Sequence, residues 1–262
     1  MSEYETLSLT IASGLATITL DRPEKLNSLN GQLKSELETA IRQIGSDDSG
    51  ARALLIAGAG KVFCAGADLS EGLSAGRTDA GASLIETYHP FLHEIAELKI
   101  PIVSAVNGAA AGAGMSIAIS ADIVIASESA YFLQAFVKIG LVPDAGSTFI
   151  LPRLIGDARA KAMMMLGDKV PAKTALEWGM IHKVVADDDL LETATALAQG
   201  LADGPTVALS GIRSLMRATT RNSFGEQLQA EAMSQRKASQ SADCVEGVTA
   251  FIEKRPAKFT GR

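Results

Sequence analysis

An α/β fold is predicted for this chain, and three observations predict it. Short apolar or alternating runs with strand character recur at Thr6 to Ile11, Leu15 to Leu20, Ala53 to Ala57 and Ile102 to Val106. Glycine-rich turns and helix-period runs separate them, so that strand, turn and helix recur with irregular spacing and without a tight sequence repeat. After about Asp187 strand signals fade and helical periodicity takes over, which predicts a core over residues 1–189 and a helical region over residues 190–262.

Each element has its own local reason. The first two runs alternate on either side of Ser13-Gly14 and read as a β-hairpin. Asn30 is suited to cap a helix whose apolar residues Leu33, Leu37, Ile41 and Ile44 fall at helical spacing. Ala53 to Ala57 is a short buried strand, and Pro101 opens another at Ile102 to Val106. Between them Ala82 to Leu98 reads as helix, with Pro90 as an interruption or a starting point. Helix is expected again over Gly112 to Ser120, strand over Asp122 to Ala126, and helix over Ala145 to Leu151. The tail predicts helices at Leu190 to Leu201, Thr206 to Met216, Phe224 to Ala238 and Ser241 to Lys254, the last capped by Ser241 and ended before Pro256.

Composition narrows the function classes. A chain of 262 residues suits one large domain, or a domain with an appended segment, and buries roughly three quarters of its unfolded surface. Hydrophobic residues make up 47%, yet no uninterrupted apolar run is long enough to span a membrane. The first residues lack the basic and apolar regions of a signal peptide. The two cysteines, Cys64 and Cys244, suggest neither a disulfide framework nor a zinc site, so a cytoplasmic location is expected. A net charge of -6 argues against a nucleic-acid surface or an acidic membrane as partner.

The chemistry is concentrated in three segments. Phe63-Cys-Ala-Gly-Ala-Asp68 and Asn107-Gly-Ala-Ala-Ala-Gly-Ala-Gly-Met115 are turns of small residues that let a ligand approach the main chain closely. Two backbone N–H groups converging on one carbonyl oxygen would form an oxyanion hole. The third segment, Gly140-Leu-Val-Pro-Asp-Ala-Gly-Ser-Thr148, supplies one carboxylate, Asp144. An acid beside an oxyanion hole suggests proton movement next to a thioester carbonyl. The plainer alternatives are tight packing for the turns and a helix N-cap for Asp144, which directly precedes a helical run.

Five motifs, two of them overlapping those turns, carry a resemblance in this order: Asp21-Arg-Pro-Glu-Lys-Leu-Asn27, Phe63-Cys-Ala-Gly-Ala-Asp-Leu69, Pro101-Ile-Val-Ser-Ala-Val-Asn-Gly108, Ala121-Asp-Ile-Val-Ile-Ala126 and Glu177-Trp-Gly-Met-Ile181. In this order and spacing, over nearly the full length, the chain resembles the crotonase (enoyl-CoA hydratase/isomerase) superfamily. The resemblance implies a crotonase-like spiral of ββα turns with a C-terminal helical oligomerisation region, and a homotrimer or homohexamer. It also implies an acyl-CoA thioester substrate whose CoA is part of the substrate, with no separate cofactor, metal, nucleic acid or membrane. By position the two polarising amides are those of Ala67 and Ala113. Lys25, Leu26, Ala65, Asp68, Leu69, Gly114 and Phe136 match positions that bind substrate or CoA, Lys25 being equally readable as a solvated surface lysine. Lys258 and Phe259 fall in a region that reaches CoA in some relatives.

Within the superfamily the chain departs from the hydratase pattern. Where hydratases carry two glutamates that activate water, it has Ser116 and Phe136, neither of which can act as a base near neutral pH. Asp144 stands where hydratases commonly have glycine. Together with Phe136-Val-Lys-Ile-Gly-Leu141 and Ser241-Ala-Asp-Cys-Val-Glu-Gly-Val248, it makes the chain most similar to the phenylacetate-pathway isomerases. The resemblance therefore implies Δ3–Δ2 double-bond migration in an enoyl-CoA, or rearrangement of a ring-1,2-epoxyphenylacetyl-CoA to oxepin-CoA, with Asp144 as acid/base. Phe136 in an apolar pocket would raise the Asp144 pKa. Alternatives are enoyl-CoA hydration, a 4-chlorobenzoyl-CoA dehalogenase-like hydrolysis and a non-catalytic RNA-binding relative. In the dehalogenases a histidine stands at the His89 position and a tryptophan where this chain has Phe136. His89 and His93, four apart, could face a metal, but Pro90 intervenes and a solvated pair is favoured. The acyl group is expected to lie against the stretch Leu73 to Phe91.

Overall fold

The computed structural model describes residues 4–74 and 79–262. Strands β1 (Leu7–Ala12) and β2 (Leu15–Leu20) form the expected hairpin, with Leu7 opposite Leu20 and Ala12 opposite Leu15. Ser13 and Gly14 both take positive φ, +50° and +79°, the two-residue turn whose twist matches that of the flanking strands. Four strands then add in parallel: β3 (Ala53–Gly58), β4 (Ile102–Val106), β6 (Ile123–Ser127) and β9 (Lys183–Val185), in the order β1-β2-β3-β4-β6-β9. A second sheet of three short strands contains β5 (Ala109–Ala111), β7 (Tyr131–Leu133) and β8 (Lys169–Pro171), in the order β5-β7-β8.

Strands β3 and β4 are nearly continuous apolar runs because both faces of the large sheet are covered. Leu54 and Ile56 point into the main core, with α1 (Gly31–Ile44) and α4 (His89–Glu97). Their neighbours Ala53, Leu55 and Ala57 point the other way, joining Val103, Ala105 and Ile125 under α9 (Leu190–Ala202). Helix α9 meets the sheet through Ala194, Ala198 and Ala202, at four-residue spacing on one face, so small side chains let the helix sit close. Asn30 caps α1 by accepting the Leu33 N–H at 2.9 Å, and Leu33, Leu37, Ile41 and Ile44 are buried.

The connection from β3 to β4 carries α2 (Leu69–Ser74), α3 (Ala80–Ser83), a single wide turn at Leu84–Tyr88, and α4. Pro90 does not interrupt the helical path. The turn before it is a π-turn, in which His89 N–H bonds Leu84 C=O five residues back, and Pro90 then enters α4 in its first turn. Helices α5 (Ala113–Ser120), α6 (Ser147–Ile155), α7 (Asp157–Leu166) and α8 (Ala172–Glu177) follow. Helix α6 starts two residues later than the sequence suggests, because Ala145 and Gly146 are left-handed, φ +50° and +83°.

The remaining helices are α10 (Thr206–Ala218), α11 (Phe224–Ser239) and α12 (Ala242–Glu253). Arg213, buried on α10, staples this region to the core. Its Nε bonds both carboxylate oxygens of Asp122 at 2.8 and 3.1 Å, and its terminal nitrogens donate to Ile95, Ala96 and Leu98 C=O at the end of α4. One guanidinium thus satisfies helix-end carbonyls that otherwise lack partners. Ser241 caps α12 by accepting Cys244 N–H at 3.1 Å. The last residues fold back along α12, where the Asp243 carboxylate accepts the N–H groups of Thr260 and Gly261. No helix among the described residues is long and apolar enough to cross a membrane.

Candidate active site

Two turns from different strands are sewn together by main-chain bonds. Asn27 anchors the first from below: its Nδ2 donates to Ala59 and Val62 C=O at 2.9 and 2.6 Å, and its Oδ1 accepts Arg22 N–H at 2.9 Å. Along the turn, Ala65 N–H donates to Leu26 C=O (3.0 Å), Leu29 N–H to Gly66 C=O (2.7 Å) and Asp68 N–H to Leu29 C=O (3.1 Å). That pattern is a parallel bridge between Leu29 and Ala67, which directs the Ala67 N–H to the opposite side. The second turn joins the first through Cys64 N–H to Ala109 C=O (3.1 Å) and Ala111 N–H to Cys64 C=O (2.9 Å). Ala113 is the first residue of α5, where N–H groups have no acceptor within the helix. Among the described residues neither the Ala67 nor the Ala113 N–H donates to a protein acceptor.

Two glycines make the close approach possible. Gly66 has φ +95°, and a Cβ there would lie 2.8 Å from Ala111 O and 3.5 Å from Ala113 N. Gly112 has φ +53° and ψ −128°, a region closed to side-chain-bearing residues, and the position of its missing Cβ is 3.6 Å from the Phe136 ring. Gly114 faces Cys64, whose Sγ would be 2.7 Å from an added Cβ, so this glycine lets α5 pack on the first turn. Phe136, nearly buried on the single turn Ala135–Ile139, closes this side of the site.

Asp144 has no capping role. The residue preceding α6 is Gly146, and the Asp144 side chain caps nothing. Its Oδ1 is buried without a hydrogen-bond partner, and burial pushes its pKa from 3.8 up to about 6. The backbone carbonyl of the same residue is heavily held: it accepts Ser147 N–H at 3.1 Å, Ser147 Oγ at 2.9 Å and Ser116 Oγ at 3.1 Å. Its main chain is therefore fixed while its Oδ1 is left without a partner.

The other expected site residues are distributed around this centre. Lys25 is exposed on the short turn Pro23–Lys25, and Leu26 follows it, half exposed and left-handed at φ +53°. Ala65 and Asp68 lie in the first turn, and Leu69 opens α2 with its side chain exposed. The Asp68 carboxylate is taken by Ser70 (2.6 Å) and Arg22 (3.1 Å), which hold its pKa below the ordinary carboxylate value. Phe259 packs on Gly247 of α12, and Lys258 N–H donates to Glu246. His89 and His93 are exposed with ring centroids 6.3 Å apart, edge to face. Of the stretch Leu73 to Phe91, residues 75–78 lie outside the described residues.

Sequence reasoning did not single out Tyr88. It ends the π-turn, is buried, and is fixed between Lys34 Nζ, 4.4 Å above its ring, and Phe91, 6.0 Å away. Burial first, and then the negative charge of Asp144, push its phenol pKa upward. A tyrosine in a helical run carries no sequence signal of such a neighbour, because the two residues are brought together only by the tertiary fold.

Comparison with known proteins places this arrangement among relatives. The family model described as enoyl-CoA hydratase/isomerase matches residues 10–262. The chain is 44% identical over 255 residues to 1,2-epoxyphenylacetyl-CoA isomerase of Escherichia coli, covering 96% of this chain and 97% of that one. It is equally 44% identical, over 259 residues and 99% of both chains, to a protein of Rhodobacter capsulatus named probable enoyl-CoA hydratase. A Mycobacterium abscessus protein whose crystal structure carries the same hydratase/isomerase description superposes with a TM-score of 0.94 at 40% identity, covering 98% of this chain and all of that one. The α/β architecture with C-terminal helices is therefore the one expected from the five motifs.

Proposed function

The chain belongs to the enoyl-CoA hydratase/isomerase family and is an enzyme of that family, and we propose that within it the protein is an acyl-CoA isomerase with Asp144 as its acid/base. The observation that carries this reading is the buried, unpartnered Oδ1 of Asp144, on a carboxyl whose pKa is pushed up to about 6. Such a group is mostly ionised at neutral pH, yet is a stronger base than an ordinary aspartate. In the double-bond shift it removes a proton from C2 of a 3-enoyl-CoA, and the electron pair moves onto the thioester oxygen. The N–H groups of Ala67 and Ala113 stabilise that dienolate oxygen. The carboxyl then returns the proton at C4, leaving the double bond between C2 and C3.

Two features favour isomerisation over water addition. Ser116 is fully buried with its hydroxyl turned to main-chain carbonyls, and Phe136 presents a hydrocarbon ring, so neither can activate water. The name of the Escherichia coli relative supports the rearrangement of a ring-1,2-epoxyphenylacetyl-CoA as the alternative reaction, which also places the reacting atoms next to a thioester. CoA is bound as part of the substrate, along Lys25, Leu26, Ala65, Asp68 and Leu69, with no separate cofactor. The cytoplasm is the proposed location. The region 190–262 is the proposed trimerisation surface, supported by exposed Phe224, Phe251 and Ile252.

Product analysis across an acyl-CoA panel tests the reading. With 3-enoyl-CoA the expected product is the conjugated 2-enoyl-CoA, while hydration of crotonyl-CoA is slow or absent. A hydration rate comparable to the best isomerisation rate would overturn it.

A further inference from the structure

We propose that Ser116 is a positioning residue which, through the backbone carbonyl of Asp144, holds the carboxylate in register with the oxyanion-hole turn; this rests on the isomerase reading above. Asp144 is followed by two consecutive left-handed residues, Ala145 and Gly146, so no regular element dictates the direction of its loop. Of the three donors to its carbonyl, Ser147 N–H and Ser147 Oγ come from the first residue of α6, three residues on in the same stretch of chain. Ser116 Oγ, at 3.1 Å, comes from outside it, from α5, whose first residue is Ala113. The helix that offers one amide of the oxyanion hole is thereby tied directly to the loop that offers the base.

The geometry leaves the hydroxyl little else to do. Ser116 is fully buried, so its hydroxyl does not reach solvent. Its other acceptor, Gly112 C=O at 3.3 Å, is the longer contact, and that carbonyl already receives the Ser116 N–H at 3.1 Å. The position held by a glutamate in the resembling hydratases thus carries a fastening between two parts of the site.

Ser116→Ala removes the donor with little change in volume, and Ser116→Cys keeps a side chain of similar shape with a weak donor. Both are expected to lower kcat for 3-enoyl-CoA roughly tenfold, the loss of about one hydrogen bond's worth of alignment, with KM changed less than about twofold. The acid limb of the kcat/KM profile should also move to lower pH, because a released carboxylate gains solvent in the free enzyme. In the Asp144→Asn background, Ser116→Ala should produce no further loss, since the two act as one unit. Thermal melts of each variant identify misfolding. Ser116→Ala with normal kcat and an unmoved acid limb, while Asp144→Asn is inactive, would overturn the positioning role alone. The same proportional loss in both backgrounds would overturn it too. Normal turnover by Asp144→Asn would instead remove the isomerase reading on which it rests.

Discussion

Replacing Asp144 by asparagine should stabilise the fold, and by an amount that depends on pH. A carboxyl whose pKa rises from 3.8 to about 6 on folding weighs against the ionised folded state by about 3 kcal/mol. Asp144 is only half-buried, so solvent screening reduces this to about 1–2 kcal/mol. The folded pKa lies above the unfolded one. Its stabilising contribution is therefore fully present below about pH 4 and is lost as pH rises through about 6. Asparagine is neutral throughout and escapes that loss. For a chain of this size the gain corresponds to a melting point higher by about 2–4 °C at pH 8, and by roughly a third of that at pH 4.5. Thermal melts of both proteins at one fixed concentration measure it. An equal shift at both pH values, or a less stable variant at pH 8, would refute the reasoning that Asp144 is held ionised against its surroundings.

The remaining predictions concern the base and the helical tail. The kcat/KM profile should rise with pH through an apparent midpoint near 6, as Asp144 of the free enzyme loses its proton, and a pH–rate series on 3-enoyl-CoA checks this. Arg213→Ala should destabilise the protein by about 2–4 kcal/mol, because it leaves Asp122 only its bond from Ile102 N–H and strands three carbonyls at the end of α4. Urea unfolding measures that loss. Arg213→Lys should recover only part of it, since one ammonium cannot reproduce the fork.

Long, strongly periodic elements were legible in the sequence. The hairpin around Ser13-Gly14, α1 with its Asn30 cap and α12 with its Ser241 cap all stand where alternation, helical spacing and capping chemistry put them. Strands β5, β7, β8 and β9 were not legible, because three residues are too few to establish a period of two, and pairing alone defines them. The glycine turns were readable as places of close backbone approach. Their joining by Cys64, Ala109 and Ala111 was not, since it depends on strands brought together by the sheet. Taken alone, an Asp after Pro reads first as a cap, and only the resemblance turns Asp144 towards a base. With Ala145 and Gly146 both left-handed, α6 begins at Ser147 behind Gly146, and the Asp144 side chain makes no cap bond. Arg213 gave no signal at all: one arginine in an amphipathic helix is indistinguishable from a solvated one until its carbonyl partners are known.

The most direct test of the account is the turnover of Asp144→Asn on 3-enoyl-CoA, measured beside its affinity for a CoA thioester. The amide keeps the shape of the carboxylate but cannot carry a proton from C2 to C4. The expected result is kcat lower by about 10²–10⁴-fold with the thioester Kd changed only a few-fold. Near-normal kcat in a folded Asp144→Asn protein would contradict it.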